Sequence, residues 1–154
     1  IGGPQNATAY LNPDGGIEAV RGKRLKTGDL GVLDEDGYLR ITGRAKELII
    51  RGGVNIAPLE IDNIVMKHPD AMEVCTIGVP DKIYGEKIVC YVVPRTGRTL
   101  SSDDIARHCA GLLPEFKQPA DTVITATIAH NARGKVDRNA MKDMWMDTHT
   151  EKQR

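Results

Sequence analysis

The 154-residue chain is poor in aromatics, which make up 4% of it, and it carries no net charge, with 21 basic side chains against 21 acidic ones. Proteins that grip single-stranded nucleic acid combine a basic groove with aromatic platforms for the bases. Neither resource is present, so nucleic acid is not expected as a partner. Long hydrophobic runs are missing too. The longest, such as Ile88 to Val93, fall far short of the roughly 20 residues that a transmembrane helix needs, and no signal peptide is recognisable. Cysteine is sparse: Cys75, Cys90 and Cys109 are odd in number, far apart and set among apolar residues. That pattern suits reduced core thiols in a cytoplasmic protein better than disulfides or a metal site. His68, His108, His130 and His149 lack the spacing of metal ligands, so no metal site is expected in this chain. An initiating methionine is also missing. The chain opens at Ile1 with the turn-rich GGPQNATAYLNPDGG, which has no partner stretch elsewhere, so it is expected to be a piece of a larger protein.

What is present is a globular composition, 40% hydrophobic and 27% charged, on a length suited to one compact core. Residues 1 to about 26 are rich in Gly, Pro, Asn and charge and are read as loop. From Leu30 to Thr42, Asp36-Gly37 separates Val32-Leu33 from Tyr38-Leu39-Arg40-Ile41, which predicts a β-hairpin. Hairpin ends lie close together, so Asp29 and Arg44 could serve one ligand. Ile61, Ile64, Val65 and His68 recur at helical spacing behind Pro58, predicting an amphipathic helix opened by proline at its first turn. Two β-branched runs, Glu73 to Val79 and Lys87 to Val93, flank the turn-forming VPDKIYGE and predict paired antiparallel strands. Ser101 to Asp104 predict a helix cap, with Ile105, Cys109, Leu112 and Leu113 on one face behind it and Pro114 as the stop. Asp121 to Ile128 predicts a third strand. His130 to Lys135 is read as a polar loop. A last helix from about Asp137 would bury Val136, Ala140, Met141, Met144 and Trp145, with a fraying polar tail from Thr148. The sum is an α+β fold, a mainly antiparallel sheet flanked by about three helices and preceded by a β-hairpin subdomain.

The stretch ITGRAKELIIRGGVNIAPLEI, Ile41 to Ile61, is the junction of this plan. Gly43 permits a bend with Arg44 and Lys46 beside it, and Leu48, Ile49 and Ile50 suit a buried strand. Gly52 and Gly53 then break that strand with a flexible loop. Read alone, the stretch favours an ordinary strand, loop and helix over a hinge.

Three blocks, TGDLGVLDEDGYLRITGRAKELIIRGGVNIAPLEI, HPDAMEVCTIGVPDKIYGE and NARGKVDR, closely resemble in order and separation the C-terminal part of the adenylate-forming superfamily, in particular acyl- and aryl-CoA synthetases. They run from Thr27 to Arg138. The resemblance implies a ligase that joins a carboxylic acid to ATP as an acyl-adenylate and then to coenzyme A, releasing pyrophosphate and AMP. It implies a tail of a large N-terminal adenylation domain over residues 1–44, a mobile C-terminal domain over 45–147 and a polar tail over 148–154. The chain's main partner would be its own N-terminal domain, with magnesium bound in the complete enzyme and no ligand for it here. Phosphate loop, metal-binding acid and acyl pocket belong to that larger domain, so the chain alone is expected to be inactive, and the small carboxylic acid substrate is not specified further: fatty, aromatic and carnitine-like carboxylates all remain open.

By the same resemblance Asp29 would accept hydrogen bonds from both ribose hydroxyls of the nucleotide, and Arg44 would lie near ribose and phosphate. Lys135 would be the catalytic lysine of adenylation, Lys46 the hinge, and Gly52 and Gly53 the lining of a channel for the CoA pantetheine arm. Each has a plainer alternative. Asp29 suits a turn or cap, Arg44 a surface ion pair worth about 0–1 kcal/mol, Lys135 a solvated lysine, and the glycines a tight turn. His130 stands where the family commonly has proline, and Asp62 where it commonly has glutamate. Two other classes compete: an RNA-gripping module of the KH kind, which needs a GXXG clamp and a basic groove that are missing, and a non-catalytic binding or regulatory domain on the same fold.

Overall fold

A computed structural model describes residues 8–19 and 26–150; the remaining positions of the opening loop and of the C-terminal tail lie outside the described residues. The opening is not all loop. Strands β1 (Ala9–Leu11) and β2 (Ile17–Ala19) pair antiparallel as a short ribbon. The predicted hairpin follows as β3 (Asp29–Leu33) and β4 (Leu39–Arg44), paired antiparallel from Leu33 opposite Leu39 to Asp29 opposite Arg44. Its turn is closed by Asp34, whose backbone N–H donates to the Tyr38 carbonyl and whose side chain accepts from the Tyr38 N–H, with Gly37 at φ 82°.

After a 3-10 turn over Ala45–Glu47, β5 (Ile49–Arg51) and β6 (Val54–Ile56) form a second hairpin joined by Gly52 and Gly53 alone. Both glycines hold positive φ, 57° and 82°, which a two-residue type I′ turn demands and which any side chain at φ > 0 resists. The flexible loop expected here is therefore a tight turn, and the residues after it form a strand. Helix α1 (Pro58–Val65) starts on its proline, buries Ile61 and Val65, and ends one turn before His68.

Strands β7 (Ala71–Asp81) and β8 (Gly85–Pro94) make the backbone of the main sheet in antiparallel register. Their long apolar runs have a simple cause: both faces are covered. Ile88, Cys90 and Val92 face a core with Ile61 and Val65 of α1 and with Ile105 and Cys109 of α2 (Ser102–Ala110). The alternate residues Val89, Tyr91 and Val93 face Met141 and Trp145 of α3 (Arg138–Thr150). Burying each such side chain stabilises by about 1.5–3 kcal/mol.

The α+β architecture thus forms as the patterning predicts, with three further differences. Strand β9 (Asp121–Ile124) is half the expected length and runs parallel to β8, beside the point where β5 meets it, so the five-stranded sheet is mixed. Helix α2 stops at Ala110, not at Pro114, and leaves Leu112 exposed while Leu113 folds back into the core. Helix α3 continues through Thr148, whose hydroxyl donates to the Met144 carbonyl, and Met144 faces outward. Among the described residues no helix is long and apolar enough to cross a membrane.

Candidate functional site

The hairpin register sets Asp29 opposite Arg44, and their side chains meet as an ion pair, Nε to Oδ1 at 3.2 Å. Gly28, at φ 78°, turns the chain into β3. Its carbonyl accepts from the Ala45 N–H at 2.8 Å, and the Thr27 hydroxyl accepts from the Asp29 N–H. The hairpin therefore ends in a closed frame with one carboxylate and one guanidinium at its mouth, both partly exposed.

Lys135 sits in a loop organised by Asn131, whose side-chain oxygen accepts from the N–H groups of Arg133 and Lys135 and whose N–H donates to the Lys135 carbonyl. Gly134, at φ 71°, permits the reversal, and the His130–Val136 bridge closes it. His130 pairs with Glu73 of β7, which pins the loop to the sheet. The Lys135 side chain is exposed and has no polar partner among the described residues.

A cleft separates the hairpin end from this loop and is lined by Arg44, Lys46, Glu47, Asn131 and the Val136–Asn139 segment. It brings two of the expected site residues, Arg44 and Lys46, against the loop that carries a third. Lys135 stands beside this lining without joining it, and Asp29 lines a separate hollow with Thr27, Gly28 and Leu39. Gly52 and Gly53 line neither. Their turn is held by the Gly52 N–H donating to the Tyr84 carbonyl, and beside it Arg51 lies over the Tyr84 ring and donates to the Phe116 carbonyl.

Sequence reasoning passed over the residue at the floor of this region. Arg138 donates through Nη2 to Asp62 Oδ2 at 2.6 Å, through Nη1 to the Thr76 carbonyl at 3.0 Å, and through Nε to Glu47 Oε2 at 3.2 Å. The other Asp62 oxygen accepts from the Thr76 N–H at 2.8 Å. Burial pushes the Asp62 carboxyl up, against the pull of the guanidinium. The one available signal was an acid set among the apolar positions of α1. Burial also pushes the Cys75 thiol, which touches Arg138, up to about 12. No three His, Cys, Asp or Glu side chains among the described residues gather closely enough to hold a metal ion.

The AMP-binding enzyme C-terminal domain family matches residues 60–135, a span that ends on Lys135. A probable CoA ligase of Humulus lupulus is 40% identical over 95% of this chain, and an oxalate–CoA ligase of Arabidopsis thaliana is 39% identical over 96% of it. The chain spans 28% and 29% of the length of those two relatives. Among solved structures, ATP-bound MatB from Rhodopseudomonas palustris superposes with a TM-score of 0.73 at 33% identity, covering 90% of this chain and 26% of MatB. Family match, relatives and fold agree: through residues 60–135 the chain belongs to the AMP-binding enzyme C-terminal domain family.

Proposed function

We propose that the chain is the C-terminal portion of an AMP-forming acyl-CoA synthetase. In the first step a carboxylate oxygen attacks the α-phosphorus of ATP, giving the acyl-adenylate and expelling pyrophosphate. In the second a CoA thiol attacks the acyl carbon, giving the thioester and expelling AMP. The observation that supports this reading most directly is the cleft in which Arg44 and Lys46 face the loop that ends in Lys135.

In this reading Asp29 accepts from the ribose hydroxyls. Its carboxylate spends one oxygen on Arg44 and has acceptor capacity to spare. Arg44 adds a fixed donor fork toward ribose and phosphate. Lys135 supplies a mobile cation to the oxygens that gain charge during in-line displacement. The chain before Lys46 stays with the large N-terminal domain and the chain after it, through residue 147, turns about Lys46 between the steps, which presents Gly52 and Gly53 to the pantetheine arm. Magnesium does not fit here: the described residues offer no acidic cluster, and of the acids at the cleft and the neighbouring hollow, Asp29 and Glu47 are each held by an arginine while Asp137 accepts from the Ala140 N–H. No step is routed through it. Three buried free thiols suit a cytoplasmic setting.

The test is carboxylate-dependent ATP–pyrophosphate exchange by the full-length protein across a panel of acids. Lys135→Ala is expected to slow exchange by about a hundredfold or more. Exchange at the wild-type rate would overturn the role of Lys135.

A further inference from the structure

The backbone around Lys46 is anchored on both sides, by different bodies. On one side the Ala45 N–H donates to the Gly28 carbonyl at 2.8 Å, and Arg44 pairs with Asp29, so residues 44 and 45 belong to the β3–β4 hairpin. On the other side Glu47 pairs with Arg138. Lys46 between them is exposed and has no polar partner among the described residues. Arg138 is the first residue of α3 and lies three positions after Lys135. Its three donor edges reach three elements: Glu47 in the 3-10 turn, Asp62 in α1 and the Thr76 carbonyl in β7. A lysine ammonium carries the charge and three donors on a single nitrogen, but lacks the planar fork whose Nε, Nη1 and Nη2 spread to these separate partners.

We propose that Arg138 is a positioning residue: it fastens Glu47 and the Lys135 loop to one body, so that turning is confined to the single residue Lys46. The proposal rests on the synthetase reading for Lys46 and Lys135. Its inner arm to Asp62 is the buried one, with side chains 17% and 9% exposed, whereas Glu47 is 34% exposed. The two arms can therefore be cut separately.

The test has two readouts. In the 15N-labelled chain, wild-type amides of Glu47 and of 134–137 should show rigid-backbone order parameters of about 0.85. Glu47→Ala should drop residue 47 below about 0.6 while leaving the main sheet and the thermal midpoint unchanged. Arg138→Lys should loosen residue 47 and the 131–136 loop together, despite its conserved charge. Order parameters at residue 47 unaltered in both variants would overturn the proposal. In the full-length protein, Glu47→Ala should lower kcat for pyrophosphate exchange by roughly ten- to a hundredfold with KM for ATP unchanged. A rise in KM with kcat unchanged would also overturn it. Two controls separate the failures: if wild type shows no carboxylate-dependent exchange the synthetase reading falls, and if Lys135→Ala exchanges normally only the role of Lys135 falls, while the order parameters still decide the role of Arg138.

Discussion

Cys75 and Arg138 touch at 3.6 Å, yet a neighbouring cation does not make this thiol a nucleophile. Burial outweighs the guanidinium and holds the thiol near 12, and Cys90 and Cys109 are pushed up by burial as well. At pH 8 all three therefore stay protonated and shielded, and a thiol-directed maleimide is expected to leave the native chain unlabelled and to react three times once it is unfolded in denaturant. Rapid native labelling, followed by mass spectrometry, would contradict the buried placement. The same scale shows what the sequence could and could not disclose. Asp29 and Arg44 were readable as neighbours because a hairpin joins them. Asp62 and Arg138 were not, because 76 residues separate them and only the packing of α1, β7 and α3 makes them partners.

At the scale of elements, local chemistry is most legible where it is self-contained. Ser101 and Asp104 form a complete capping box: the Ser101 hydroxyl accepts from the Asp104 N–H, and the Asp104 carboxylate accepts from the Ser101 N–H. Ser101→Ala is expected to lower stability by about 1 kcal/mol at neutral pH, measured by denaturant unfolding. The Ser101 hydroxyl and N–H hold the Asp104 carboxyl below its usual value, so the native state binds that proton more weakly than the unfolded chain. Its contribution is present above about pH 4 and is lost as pH falls through the depressed folded value, so the gap between wild type and variant should narrow in acid to what the bond from the Asp104 N–H to the Ser101 hydroxyl supplies. A gap that does not narrow in acid would show that the cap acts without its carboxylate. The elements that eluded the sequence are those defined by partners far along the chain. Strand β9 was visible as a β-branched run, but its parallel pairing to β8 depends on α2 carrying the chain back across the sheet. The second hairpin was hidden because Gly52-Gly53 reads as a loop until φ is known.

For the whole molecule the decisive question is how the β3–β4 hairpin sits on the larger body, since the proposed pivot lies between them. Gly43 is buried, and a Cβ added there would stand 3.1 Å from the Cβ of Ala57, the residue that leads into α1. Neither atom is the end of a flexible side chain, so a methyl group at 43 requires β4 and Ala57 to part by a few tenths of an ångström. Overpacking of this kind costs about 1–3 kcal/mol, and here it falls on the docked arrangement rather than on either unit. Gly43→Ala is therefore expected to raise amide hydrogen exchange in β4 by roughly five- to a hundredfold while leaving β7 and β8 protected. Ala57→Gly should restore the contact in the double variant. Residue 57 is the N-cap of α1 and makes no side-chain cap bond, and glycine is favoured over alanine at that position, so the second change does not itself weaken the helix. Unaltered exchange in Gly43→Ala, or no rescue by Ala57→Gly, would mean that the hairpin is held by the frame at Ala45 and Glu47 alone. The rescue matters more than the loss, because only a contact between these two residues predicts that removing a methyl from one will accommodate a methyl on the other.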